Sequence, residues 1–177
     1  MLHSDKYQSQ LLFNLSFIAA VLFYTTLTIS AQNMPGDLDP TFSGDGKLAD
    51  WSGGASKVAI QPDGKIVVAG EYGLGVGNPA IGIARYNPDG SPDTTFGSGS
   101  GKVITLLDLV CAATGLAIQP DGKIVVSAVR INGASASYHS GLLRYNADGS
   151  RDTSFGSFGV VLMSDFFPAD VAIQPDG

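Results

Sequence analysis

Oxygen-bearing side chains fall at alternate positions twice in this chain, at Asn87, Asp89, Ser91 and Asp93 and again at Asn146, Asp148, Ser150 and Asp152. Carboxylate, carboxamide and hydroxyl oxygens in such a row suit a hard divalent cation, and calcium is the cofactor they would take. Two departures speak against it. A helix–loop–helix calcium site bends at a glycine in its sixth position and closes with a glutamate at its twelfth. Here Gly90 is fourth and no glutamate follows. A β-turn explains the same residues without a metal, so a structural role is expected and no cofactor.

Nucleophilic and nucleotide chemistry has less to work with. Beyond the N-terminal segment the only histidine is His139, in "ASASYHSG", and there is neither a Gly-x-Ser-x-Gly elbow nor a metal spacing containing histidine. Cys111, the single cysteine, sits in apolar "LDLVCAATGLAI" and reads as a buried thiol rather than a reactive one. "GSGSGK" at 97–102 lacks the phosphate-loop spacing and runs on into Val103, and the glycines at 70, 73, 75 and 77 miss the dinucleotide pattern. No catalytic residue emerges.

The residues quoted so far belong to a repeat. Ile60-Gln61-Pro62-Asp63-Gly64 returns at 118–122 and again at 173–177; "RYNPDGSPDTTFG" from Arg85 returns as "RYNADGSRDTSFG" from Arg144; "LDPTFSGDGK" at 38–47 is a partial copy upstream. Each period carries two turns whose spelling has a physical reason. Pro62 presets φ for a type I turn, Asp63 suits its third position, and Gly64 takes the left-handed conformation that lets the next strand pair back with a bulge. Asp121 and Gly122, Asp89 and Gly90, and Asp148 and Gly149 repeat this logic.

Between the turns lie short β-rich runs, 57–61, 65–70, 81–86 and 102–106, giving four strands per period, with the run at 102–106 read as leading into the next QPDG unit. Their near-continuous apolar character predicts strands covered on both faces, which requires stacked sheets. With 23 Gly and 9 Pro punctuating the chain, helix has little place after the N-terminal segment. The expected fold is all-β: tandem four-stranded antiparallel blades, β-propeller-like and incomplete at about two and a half repeats, preceded by a helical signal segment. The expected division is 1–31 signal peptide, 32–92 first repeat, 93–151 second repeat and 152–177 truncated third repeat.

The linked motifs "LDPTF…GDGK", "VAIQPDGKIVVAG" and "IARYNPDGSPDTTFG" resemble the delta-60 repeat, found in tandem in large secreted or cell-surface bacterial proteins. That resemblance covers roughly residues 37–177 and implies a propeller-like repeat architecture without a common catalytic activity. Arrays of that family hold more copies, so this chain, ending inside the turn motif at Gly177, is expected to be a fragment of a longer product. "SPDTTFG" and "SRDTSFG" are similar to the Asp-box hairpin of sialidase-type propellers. They lack its glycine, because Thr95 and Ser154 stand there with the aromatic directly after, so the similarity supports a blade hairpin and not a glycosidase. In Arg85-Tyr86 and Arg144-Tyr145, adjacent residues of a strand point to opposite faces. One of each pair is expected in the core, and the other between blades or capping a neighbouring hairpin.

Residues 11–29, "LLFNLSFIAAVLFYTTLTI", follow a short polar head with Lys6 and precede small residues at 28, 30 and 31. This is the pattern of a secretory signal peptide cut after Ser30 or Ala31. An uncleaved anchor over 11–29 is the alternative, since the run could just cross about 30 Å of hydrocarbon. The formal net charge is −6 and no basic cluster exists, so nucleic acid is not an expected partner, nor a membrane unless the N-terminal segment stays attached. The functional expectation is a secreted or cell-surface scaffold that binds an extracellular protein or carbohydrate through the loops that differ between copies, 70–81, 106–114 and 130–141. Its rival is a fragment of an extracellular propeller hydrolase or lyase whose active site lies in other blades.

Overall fold

The computed structural model describes residues 35–73, 79–106, 110–132, 137–164 and 167–176. The expected helical signal segment lies outside them, and among the described residues no helix is long and apolar enough to cross a membrane. The chain divides into two units, Met1–Asp37 and Leu38–Gly177, and all strands belong to the second.

Among the described residues, eight strands form two antiparallel sheets of four. The first holds β1 (Gly53–Ile60), β2 (Ile66–Gly73), β3 (Pro79–Tyr86) and β4 (Lys102–Thr105) in chain order, and the second holds β5 (Val110–Ile118), β6 (Ile124–Asn132), β7 (Ser137–Tyr145) and β8 (Val160–Ser164) in the same order. Up-and-down order follows from the turns. In Gln61–Gly64 the Gly64 amide donates to Gln61 O at 2.9 Å and the Gln61 amide to Lys65 O at 2.8 Å, with Gly64 at φ 84°. The turns at 87–90, 119–122 and 146–149 repeat both bonds, with Gly90, Gly122 and Gly149 at φ 83°, 84° and 87°. All four are the expected type I turn with a glycine bulge. The third-position carboxylate completes each one, Oδ1 of Asp63, Asp89, Asp121 and Asp148 accepting the backbone N–H two residues on.

The sheets are phased differently from the division 32–92, 93–151 and 152–177. β4 pairs with β3 in the register Ile81↔Thr105 to Ala84↔Lys102, so the run at 102–106 closes the sheet before it instead of opening the next. Sequence periodicity fixes the length of a repeat but not where the sheet begins, and hydrogen bonding to β3 settles the latter. Each sheet also has a register shift in its first strand, between Ala55 and Lys57 and between Ala113 and Gly115. At the first, the Ser56 hydroxyl donates to Ala113 O of the second sheet at 2.8 Å.

The sheets stack face to face around Val67, Ala69, Ile81 and Ile83 of the first and Ala113, Ile124, Val126, Ala128, Leu143 and Tyr145 of the second, with Phe96 between them. Coverage on both faces holds for residues 80–86 of β3 and 124–129 of β6, all of them buried. It fails for β1, where Val58 and Ile60 are 66% and 72% exposed. On the other face of sheet 1, Trp51 packs over Gly82, where a Cβ would lie 2.8 Å from the indole, and meets Tyr72 edge to face at 5.6 Å.

Candidate functional site

Asp93 and Asp152 are the most deeply buried carboxylates among the described residues, and each lies where the two recurring motifs of its repeat converge. The local geometry begins with a tight turn after the Asn-x-Asp-Gly hairpin. Asp93 Oδ1 accepts the backbone N–H and hydroxyl of Thr95 at 2.9 and 2.7 Å. Its Oδ2 faces two cations, Arg85 Nε from β3 at 2.6 Å and Lys65 Nζ from the first hairpin at 2.9 Å. The second copy repeats the set: Asp152 Oδ1 takes the Ser154 N–H and hydroxyl, and Oδ2 takes Arg144 Nε at 2.8 Å and Lys123 Nζ at 3.2 Å.

Burial opposes the Asp93 carboxylate, yet the two Thr95 bonds together with Lys65 and Arg85 outweigh it and hold the pKa well below the usual carboxylate range. The Ser154 hydroxyl is the leading cause of the same lowering at Asp152, reinforced by Lys123 and Arg144. Both groups are therefore fixed anions at neutral pH. A proton-transferring carboxylate would need the opposite environment, one that raises its pKa toward the working pH.

The arginine of each cluster also stacks on the phenylalanine that follows, Arg85 Cζ 4.7 Å from the Phe96 centroid and Arg144 Cζ 4.4 Å from that of Phe155. In the first copy this assembly docks onto the second sheet. Arg85 Nη1 donates to Ala147 O at 2.6 Å, the Gly97 amide donates to Asp148 O at 2.9 Å, and Phe96 covers Gly149, where a Cβ would lie 2.8 Å from the ring.

The partial copy upstream makes the same contact one repeat earlier. The Ser43 amide donates to Asp89 O at 2.7 Å, and Phe42 lies over Gly90, where a Cβ would lie 3.0 Å from its ring. Asp39 serves Thr41 as Asp93 serves Thr95, through bonds of 2.9 and 2.6 Å. A tyrosine accompanies each docking: Tyr86 donates to Asp50 at 2.7 Å, and Tyr145 shares a 2.7 Å hydroxyl contact with Thr105. Burial pushes the Tyr145 phenol up to about 12. Beside this contact, a cleft of about 460 Å³ opens between β4 and the 148–151 stretch, with Thr95, Lys102, Val103 and Arg151 on its walls. Its Lys102 is held by Asp50 at 2.8 Å.

The eight residues named for calcium are divided by this arrangement. Asn87, Asp89, Asn146 and Asp148 stay at exposed hairpin tips, where Asp89 Oδ1 and Asp148 Oδ1 serve the Ser91 and Ser150 backbone and hydroxyl, and the two asparagines donate to the same serine hydroxyls at 2.9 Å. Asp93 and Asp152 face cations, which a divalent ion would have to displace. Among the described residues no three His, Cys, Asp or Glu side chains come together as a metal cluster. Each Arg-Tyr pair splits between opposite faces as expected. Arg85 caps the neighbouring hairpin, while Tyr86 faces the segment before it. Sequence reasoning missed Lys65 and Lys123; the signal was available, since lysine follows QPDG in both full copies. The side chains of Cys111 and His139 lie outside the described residues, as do 74–78, 107–109 and 133–136 of the variable loops.

Residues 61–96 and 119–155 each match the model of a family described as a domain of unknown function (DUF5122) beta-propeller. Each matched stretch runs from the glutamine that opens the first hairpin to the phenylalanine under the arginine, and so holds one whole Lys–Asp–Arg–Phe cluster. No curated protein matches the chain.

Proposed function

We propose, from the premise that the two matched stretches are blades of β-propeller type, that this chain is a non-catalytic repeat scaffold of the delta-60 kind. It is exported by residues 1–31 and presents its variable loops to an extracellular protein or carbohydrate. The observation that carries this reading is the equivalence of the two copies. Asp93 and Asp152 are neutralised by the same Lys–Arg pair, and the hairpin aspartates serve backbone amides, so the recurring polar groups have structural partners. An active site needs groups that break the repeat and titrate near the working pH.

The test is turnover of a panel of glycosides, esters and peptides by the purified chain. The scaffold reading expects rates at the buffer blank; a rate above blank that disappears on His139→Ala or Asp152→Asn overturns it. Export is tested separately by sequencing the N-terminus of the released protein. Ala31 or Gln32 is expected, and retention of Met1 in the membrane fraction would assign residues 11–29 as an anchor instead.

A further inference from the structure

We propose that the Arg144–Phe155–Gly156 face of the second sheet is a receptor for the Asn-x-Asp-Gly hairpin of one further copy of the repeat. The reasoning rests on two occupied instances within this chain and one open one. Phe42 and Ser43 hold the turn of the first sheet, and Phe96 and Gly97 hold that of the second, each through an amide to the aspartate carbonyl and a ring over the glycine. The third set, Asp152-Thr-Ser-Phe155-Gly156, differs from Asp93-Thr-Thr-Phe96-Gly97 only in Ser154 for Thr95 and has the same internal geometry. The Phe155 amide donates to Asp152 O at 3.1 Å, as Phe96 does to Asp93 O, and the Gly159 amide to Phe155 O at 2.8 Å, as Gly101 does to Phe96 O at 2.9 Å.

What differs is coverage. Phe96 is fully buried and the Arg85 side chain is 8% exposed, whereas Phe155 is half-buried, Gly156 is exposed, and the Arg144 side chain is 21% exposed. Among the described residues none sits on Arg144 as Ala147 sits on Arg85. A preformed ring, guanidinium and amide, set as in the occupied site, fits one partner: a hairpin turn offering the carbonyls of its second and third residues and a glycine that lets the ring approach. A turn without that glycine is shut out, because any Cβ at the fourth position would meet the ring, and in both occupied instances the turn seated is Asn-x-Asp-Gly.

The experiment extends the full chain after Gly177 with a second copy of residues 123–164, which continues the repeat in frame and supplies one new Asn-Ala-Asp-Gly turn. Hydrogen exchange at the Gly156 amide is the readout. We expect at least a tenfold slowing relative to the unextended chain, lost again when Phe155→Ala is introduced into the extended chain. Three outcomes overturn the proposal. The added repeat folds and Gly156 exchanges as before; the added repeat stays unfolded while the first two sheets keep their melt; or the unextended chain shows the same slowing only as its concentration rises, which would give the face to a second copy of the chain.

Discussion

Arg85 on β3 donates a 2.6 Å hydrogen bond to the carbonyl of Ala147, 62 residues later in the chain, while its Nε stays paired with Asp93. One side chain thus ties the ion cluster inside the first sheet to the hairpin of the second. The repeat carries this link in its sequence, because the arginine, the aspartate and the phenylalanine recur together.

Phe96→Ala removes a fully buried ring from between the sheets, and large-to-small core changes of this kind cost about 3–5 kcal/mol. Phe155 is half-buried, so Phe155→Ala should cost less than half as much. Urea denaturation of the two variants checks the ratio; equal losses would mean that contact with the next sheet contributes nothing.

Asp93→Asn leaves Lys65 and Arg85 without their anion, a loss of about 3 kcal/mol for a buried pair broken on one side. The pH dependence has a defined sign. A carboxylate with its folded pKa depressed contributes stability fully above its unfolded value of about 4, and that contribution fades as pH falls toward the lower folded value. The parent chain should therefore lose stability below about pH 4 more steeply than Asp93→Asn does. Parallel acid limbs in thermal melts would contradict the assignment.

Gly149 and Gly122 both need positive φ, at 87° and 84°, but a Cβ at Gly149 would lie 2.8 Å from the Phe96 ring, whereas one at Gly122 meets only the Ala147 Cβ at 3.4 Å. Gly122→Ala should cost about 1–2 kcal/mol for the left-handed backbone alone. Gly149→Ala should exceed it by at least 1 kcal/mol, about the cost of an off-rotamer ring, and the excess should shrink in the Phe96→Ala background, where Val103 Cγ2, 2.9 Å from the added Cβ, is the contact that remains. Equal costs in both backgrounds would remove the docking contact from consideration.

Calcium gives a separate check. With Asp93 and Asp152 facing lysine and arginine, millimolar calcium should leave the melting temperature where a chelator leaves it. A rise that saturates with calcium would restore the metal reading at the Asn87 and Asn146 hairpins.

The sequence made the turns legible because their chemistry is local. Pro62, Asp63 and Gly64 sit within one turn of chain, and all four copies adopt the conformation their spelling demands. The strands followed from the runs between them. The phase of the sheet was not legible, because the 102–106 run is equally apolar whichever neighbour it joins; only its pairing with Ile81 to Ala84 decides. The ion clusters were hidden for the same reason. Lys65 and Asp93 lie in separate motifs, and nothing in either shows that a hairpin and a later turn share one end of the sheet. The burial of Phe96 depends on the following repeat, as its contrast with Phe155 makes plain.

The claim that joins these observations is that neighbouring repeats are held together by a phenylalanine and the amide of the residue after it, seated on the next Asn-x-Asp-Gly turn. Native-state hydrogen exchange at the Gly97 amide, which donates to Asp148 O at 2.9 Å, tests it most directly. The account predicts that this amide opens only with the global unfolding of the two sheets, and that Phe96→Ala brings its exchange close to that of an exposed loop. Free exchange of Gly97 in the parent chain, while the strand amides of both sheets remain protected, would contradict it.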